Sequence, residues 1–273
     1  MTSTRSIEGR TVCVTGASSG IGRSIAEHLG VLGAHVFLAG RAEAPMKEAA
    51  ATIAAAGGAA DVASFDVSDV AALQGWIAGA AESTGRLDVL VNNAGLGDMG
   101  SIIDGDPSMW KTMLDVNVLA LAVGSQAAIR AMRETGSEGN IINISSNAAR
   151  RSESGVYGAT KHAVNCINST LRAELEDDPI RVTSIMPGVF ATNFTRNVDR
   201  AMIEGLAAGA GITEVTFDEH GHLPPEQIDQ LQAAMTPIVG DVDHIARAIE
   251  YVVTQPIELN IEELVIRPQK SMF

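Results

Sequence analysis

Tyr157 and Lys161 stand four residues apart in a stretch of helical period, so their side chains share one helix face. A free phenol titrates near pH 10, about three units too high for proton transfer at neutrality. A neighbouring ammonium and a positive nicotinamide ring would favour the phenolate and lower that pKa, as opposite charges do. The tuned phenol would then exchange a proton with a substrate oxygen. A second cluster lies near the start of the chain, Thr15-Gly16-Ala17-Ser18-Ser19-Gly20-Ile21-Gly22. Glycines between a strand and a helix let the backbone approach a pyrophosphate, and the helix N-terminus offers free N–H groups and partial positive charge. Further on, Gly40 occupies the slot where an acidic residue would bind the ribose hydroxyls of NAD, and Arg41 follows it. An Arg fork can bind a 2′-phosphate in two places, so NADP(H) is favoured over NAD(H), with Ser18 and Ser19 as additional hydroxyl donors.

These groups need a frame. Short β-branched runs at 11–14, 35–39, 61–65, 87–91, 140–144, 181–186 and 263–266 alternate with helix-period segments at 24–32, 44–56, 71–83, 107–133, 156–175 and 242–253. That alternation predicts βαβ units in one parallel sheet, and strands apolar throughout suit a sheet covered on both faces. Gly57 and Gly58 fit the cap of the second helix, and Asp66 or Ser68 is the expected start of the third. The polar interruption at 193–237 is expected to be a substrate lid, with Met202 and Met235 as possible lining.

The GxxxGxG spacing, Asn92-Asn93-Ala94-Gly95 after the fourth strand and Tyr157-Gly-Ala-Thr-Lys161 after the fifth resemble the short-chain dehydrogenase/reductase family, over about 7–266. The resemblance implies a doubly wound (Rossmann) α/β fold with a mainly parallel sheet and helices on both faces. It also implies hydride transfer between NADP(H) and a ketone or secondary alcohol. Ser146, from Asn143-Ile144-Ser145-Ser146, would hold the carbonyl. Ten residues separate it from Tyr157, two fewer than is usual, and Ser145 stays open as the alternative. Asn117 would be the fourth member, bending its helix and holding a water behind Lys161, whose ammonium would also bind the nicotinamide ribose. Asp66 and Val67 look like the adenine edge and Asn93, with Ala94 and Gly95, the adenosine ribose contact, while Asn92 ties the sheet. Pro187-Gly188-Val189-Phe190-Ala191-Thr192 is similar to the family's PGxxxT, with Pro187, Val189, Phe190 and Thr192 around the carboxamide. Relatives often assemble through helices matching 107–133 and 156–175, so a homotetramer or homodimer is expected. An NAD-linked alcohol dehydrogenase and a non-catalytic nucleotide-binding regulator are the rival readings.

Composition bounds the rest. The 273 residues fit one domain, and 19 Lys+Arg against 33 Asp+Glu give a net charge of −14. Nucleic-acid footprints are basic, so neither a nucleic acid nor an anionic membrane is an expected partner. Cys13 and Cys166 alone build no disulfide framework, which with the polar start points to a cytoplasmic protein. No apolar run approaches the length of about 18–20 residues needed to span a bilayer. His220 and His222 beside Asp218 and Glu219 read as a solvated acidic loop, and no metal is expected.

Overall fold

In a computed structural model, residues 5–98, 100–190, 192, 204–205, 207–208, 211–212, 214–217, 223–235 and 238–270 are described. Every residue of the first strand, Thr11–Thr15 (β1), is buried. Val12 and Val14 enter one apolar cluster and Cys13 enters another. Alternate side chains of a strand point to opposite faces, so both faces of the sheet at β1 are covered. The remaining strands are His35–Gly40 (β2), Ala59–Ser64 (β3), Val89–Asn92 (β4), Gly139–Ile144 (β5), Ile180–Pro187 (β6) and Glu263–Ile266 (β7). They form one seven-stranded sheet in the order β3-β2-β1-β4-β5-β6-β7. All six pairings are parallel.

The helices are Gly20–Val31 (α1), Glu43–Ala55 (α2), Val70–Thr84 (α3), Pro107–Leu114 (α4), Leu121–Thr135 (α5), Gly155–Glu174 (α6), Pro225–Met235 (α7) and Asp243–Val253 (α8). Residues of α1, α2 and α8 fill the first cluster, and those of α3 and α5 fill the second. Each buried Leu or Ile there contributes about 1.5–3 kcal/mol. At the amino end of the sheet the Asp88 carboxylate accepts from the Thr11 N–H and from Arg86, tying β1 to the start of β4.

Three expectations shift. α1 begins at Gly20 rather than Ser24, so the glycine turn runs straight into the helix. The cap of α3 is Asp69, whose carboxylate accepts from the Ala72 N–H, and neither Asp66 nor Ser68 fills that place. Thirdly, 107–135 forms one helical run long and apolar enough, by length and composition, to cross a membrane. Asn117, Ser125 and Gln126 break the apolar run in sequence, which is why a count of uninterrupted apolar residues passes over it. Half of its most apolar window is buried inside the protein, and buried residues of α5 pack with those of α3.

Strand order reverses between β1 and β4, and the carboxyl ends of those neighbours open a crevice. In open α/β sheets ligands bind at such a switch point. The glycine turn follows β1, Asn93–Gly95 follows β4, and Ser145–Ser146 follow β5, so the topology gathers them along one edge.

Candidate active site

The glycine turn is a backbone cradle. A Cβ on Gly22 would overlap the Asn93 amide nitrogen and the Gly16 carbonyl oxygen. One on Gly16, where φ is +66°, would lie 2.8 Å from Asn93 Nδ2 and 2.9 Å from the Ala94 Cα. Only glycine permits two loops to approach this closely. Thr15 fastens them together. Its hydroxyl oxygen accepts from the Asn93 and Ala94 N–H groups at 3.1 Å each and donates to the Val91 carbonyl. The Asn93 side-chain amide donates to the carbonyls of Thr15 and Gly16, at 2.9 and 3.2 Å, so it grips the turn. Asn92 faces the sheet interior, donating to Asn143 Oδ1 and Ser125 Oγ.

The N-terminus of α1 is left open to a ligand. Ser19 stands at its N-cap in extended conformation with no side-chain capping bond, and the first turn, with Ile21, holds no acidic residue. A Cβ on Gly20 would sit 3.0 Å from Thr192 Cγ2, which places the end of the Pro187–Thr192 segment over the same helix start. That segment is held by Gly188 N–H donating to Ile266 O and by Gly240 N–H donating to Val189 O, with the Phe190 ring against Gly240. A glycine-lined cradle ending in an uncapped, acid-free helix start fits the phosphates of a dinucleotide.

On the β2 side, the point where Gly40 would carry a Cβ lies 3.5 Å from Ser18 Oγ, and exposed Arg41 follows. The Arg41 guanidinium stands 3.9 Å from Asp66, and the Ser64 hydroxyl donates to the Arg41 carbonyl. Burial acts to raise the Asp66 pKa, but hydrogen bonds from the Ser68 N–H and hydroxyl and the Arg41 charge outweigh it and hold the carboxylate below its ordinary value. Val67 is buried beside it.

On the other side lie the proton-handling groups. Ser146, two residues past the end of β5, caps a short 3₁₀ turn, Asn147–Arg150, where its oxygen accepts from the Ala148 N–H. Its side chain lies near enough to the Tyr157 phenol to act on it, favouring the phenolate. Ser145, one residue earlier, is buried and donates to the Lys161 carbonyl, away from the phenol. Tyr157 and Lys161 lie on α6, with Lys161 Nζ 5.9 Å from the centre of the tyrosine ring and donating to the Ile144 carbonyl at 2.8 Å. In the free protein the lysine by itself does not lower the phenol's pKa. Burial pushes Tyr157 up to about 12 against the lowering effect of Ser146, and burial pulls Lys161 down to about 8. Desolvation penalises both charged forms and dominates at this separation.

Asn117 sits in a single π-helical turn, Asp115–Ala120, that joins α4 to α5. Its amide donates to the Leu96 carbonyl and to Thr160 Oγ1 and accepts from the Leu96 N–H. The point where Gly95 would carry a Cβ lies 3.4 Å from Asn117 Oδ1 and 3.6 Å from Lys161 Nζ. Asn117, Ser146, Tyr157, Lys161 and Gly95 therefore share one end of the crevice. Thr15 in the glycine turn and Thr160 within the Tyr157–Lys161 spacing stand inside the two motifs but receive no role from the sequence alone. Residues 218–222 and Met202, as well as most of 193–222, lie outside the described residues. Within the expected lid, the Gln227 side chain of α7 bonds the backbone of Glu214 and Thr216.

Fold and crevice together define a doubly wound protein of the nucleotide-binding kind. Residues 10–204 match the profile of the short chain dehydrogenase family, to which the chain belongs, and the protein is an oxidoreductase of that family. It is similar to dehydrogenase/reductase SDR family member 11 of Bos taurus, 31% identical over 96% of this chain and 97% of that one. An uncharacterised oxidoreductase of Staphylococcus epidermidis is also 31% identical, covering 96% of this chain and 98% of its own. Among solved structures, a Burkholderia cenocepacia short chain dehydrogenase in complex with NADP superposes with a TM-score of 0.77 at 29% identity, covering 96% of this chain and 98% of its own.

Proposed function

We propose that the protein transfers hydride reversibly between NADP(H) and a ketone or secondary alcohol, with Tyr157 as the proton donor and acceptor. One observation carries this reading: Tyr157, with Lys161 Nζ 5.9 Å from its ring, shares one end of the crevice with Ser146 and Asn117. When bound, the reduced cofactor would supply the hydride, and the positive nicotinamide ring of its oxidised form would favour the phenolate. In reduction, the Ser146 hydroxyl orients the carbonyl oxygen and Tyr157 delivers the proton to it. Lys161 holds the nicotinamide ribose and stabilises the phenolate left behind, while Asn117 positions the water that returns a proton.

The phosphates fit the cradle of Gly16, Ser18, Ser19, Gly20, Ile21 and Gly22. Asn93, Ala94 and Gly95 would border the adenosine ribose, Asp66 and Val67 the adenine, and Pro187, Val189, Phe190 and Thr192 the carboxamide. NADP(H) over NAD(H) rests on Arg41 beside Gly40, with the Ser18 hydroxyl close by. The Burkholderia relative's NADP complex is consistent with that choice. We further propose a homotetramer, supported by Leu114 and Leu119, each 49% exposed on the 107–135 helical run.

The test follows NADPH and NADH absorbance with a panel of ketones, using Tyr157→Phe as control. Turnover with NADPH that the variant loses is expected, and equal activity in Tyr157→Phe would sink the mechanism. Arg41→Asp is expected to weaken NADPH selectively, and a wild-type preference for NADH would refute the Arg41 argument. Light scattering on the eluting protein tests the tetramer, which a monomer mass would rule out.

A further inference from the structure

We propose that Thr160 is a positioning residue for this chemistry, the hydrogen-bonded strut that fixes Asn117 against the helix carrying Tyr157 and Lys161. The proposal rests on the catalytic reading above. Thr160 is 1% exposed, as is Asn117, so neither can exchange its partners for water. The Thr160 hydroxyl has one proton, and it goes to the Tyr157 carbonyl at 2.7 Å. Its oxygen is then an acceptor only, and it takes the Asn117 Nδ2–H at 3.0 Å. The other Nδ2 hydrogen goes to the Leu96 carbonyl, and Oδ1 accepts from the Leu96 N–H, both at 2.8 Å.

The two Leu96 bonds settle which end of the amide is oxygen, and they tie Asn117 to the loop after β4. They do not tie it to α6. Thr160 supplies the side-chain hydrogen bond between Asn117 and that helix. This matters because Asn117 Oδ1 and Lys161 Nζ both border the small space left by the missing Gly95 side chain, 3.4 and 3.6 Å from the Cβ position. An amide oxygen held beside the same space as the ammonium favours the charged lysine and, through it, the phenolate. The strut thus sets the acidity of Tyr157 without touching substrate or cofactor.

The chain contains only two tyrosines, so Tyr251→Phe leaves Tyr157 as the sole phenol. Its ionisation is then read directly from near-ultraviolet phenolate absorbance with saturating NADP⁺. In that background Thr160→Val is expected to move the titration to higher pH. It should also lower kcat by about tenfold while KM changes by less than about twofold. Thr160→Ser, which keeps the hydroxyl, is expected to restore both. With Asn117→Ala in place, Thr160→Val should no longer move the titration, because the strut has lost its load. A Thr160→Val protein with a lowered melting temperature but unmoved titration and kcat would overturn the proposal. So would an undiminished shift in the Asn117→Ala background. If Thr160→Val is not recovered folded, Thr160→Ala is judged by the same outcomes. Failure of the catalytic reading shows separately, as undiminished turnover in Tyr157→Phe.

Discussion

Lys161→Met is expected to make the protein more stable and inactive at once. Lys161 is 4% exposed, and burial holds its ammonium at a pKa of about 8, well under the ordinary lysine value. A depression of that size corresponds to about 3 kcal/mol of folding free energy given up at neutral pH to keep the charge inside. Against this stands the hydrogen bond to the Ile144 carbonyl, whose loss leaves that oxygen without its lysine donor at a cost of about 1–2 kcal/mol. Met fills nearly the same volume without a charge. The net gain is about 1–2 kcal/mol, or roughly 2–6 °C in Tm for a chain of this size. The pH dependence fixes the sign. Between about pH 8 and about pH 10.4 the unfolded chain keeps the lysine proton that the native state has lost, so wild-type stability rises with pH. The advantage of Met is therefore full below the native pKa and fades across that window. Thermal unfolding followed by circular dichroism without cofactor, at about pH 7 and about pH 10, measures both limits. Carbonyl reduction in the same samples should fall by about 10²-fold or more. A Lys161→Met protein that melts below wild type at neutral pH would refute the reasoning, as would a difference that stays constant with pH.

Other consequences are equally direct. Gly22→Ala forces a methyl into the Asn93 amide and the Gly16 carbonyl, so it should cost about 1–3 kcal/mol in chemical denaturation and weaken NADPH binding in fluorescence titration. Ser146→Ala should lower kcat by about 10²–10³-fold, whereas Ser145→Ala, which loses only its bond to the Lys161 carbonyl, should lower Tm and leave kcat within about threefold. In the free Tyr251→Phe protein the Tyr157 phenolate absorbance should rise only near pH 12, and a rise near the ordinary phenol value of about 10 would contradict the burial argument.

The parts of this molecule that are legible in sequence are those whose physics is local. The glycine turn between an apolar strand and a helix, the four-residue Tyr157–Lys161 spacing and the alternation of elements each show within a short window. The start of α1 at Gly20 is hidden because glycine is a poor helix former, and here it stands at φ +53°, a conformation that favours glycine. Asp69 is passed over as a cap because Asp66 and Ser68, three and one residues earlier, carry equally suitable side chains; the structure spends those two on each other. The choice between Ser145 and Ser146 cannot be made from spacing, since the residues alternate about one strand end and only the position of α6 decides which faces Tyr157. Acidity is the least legible property of all. Charge proximity suggests a lowered phenol, but desolvation depends on everything packed around it, and here desolvation wins.

That outcome bears on how the site holds itself in readiness. Burial drives Tyr157 and Lys161 toward their neutral forms, the phenol upward and the amine downward, and each shift opposes the phenolate–ammonium pair that proton transfer calls for. A drier site would therefore be a worse one unless oriented dipoles offset the desolvation. The residues around it provide them: the Ile144 carbonyl accepts from the ammonium, the Asn117 amide oxygen borders the same space beside Gly95, and the Ser146 side chain acts on the phenol. These groups are fixed by β5, the π turn and the 3₁₀ turn before any ligand arrives, so they cost no reorganisation when charge develops. The same dryness that makes Lys161 a burden to folding is what lets such weak dipoles govern it, because in a low local dielectric each carries more energy than it would in water.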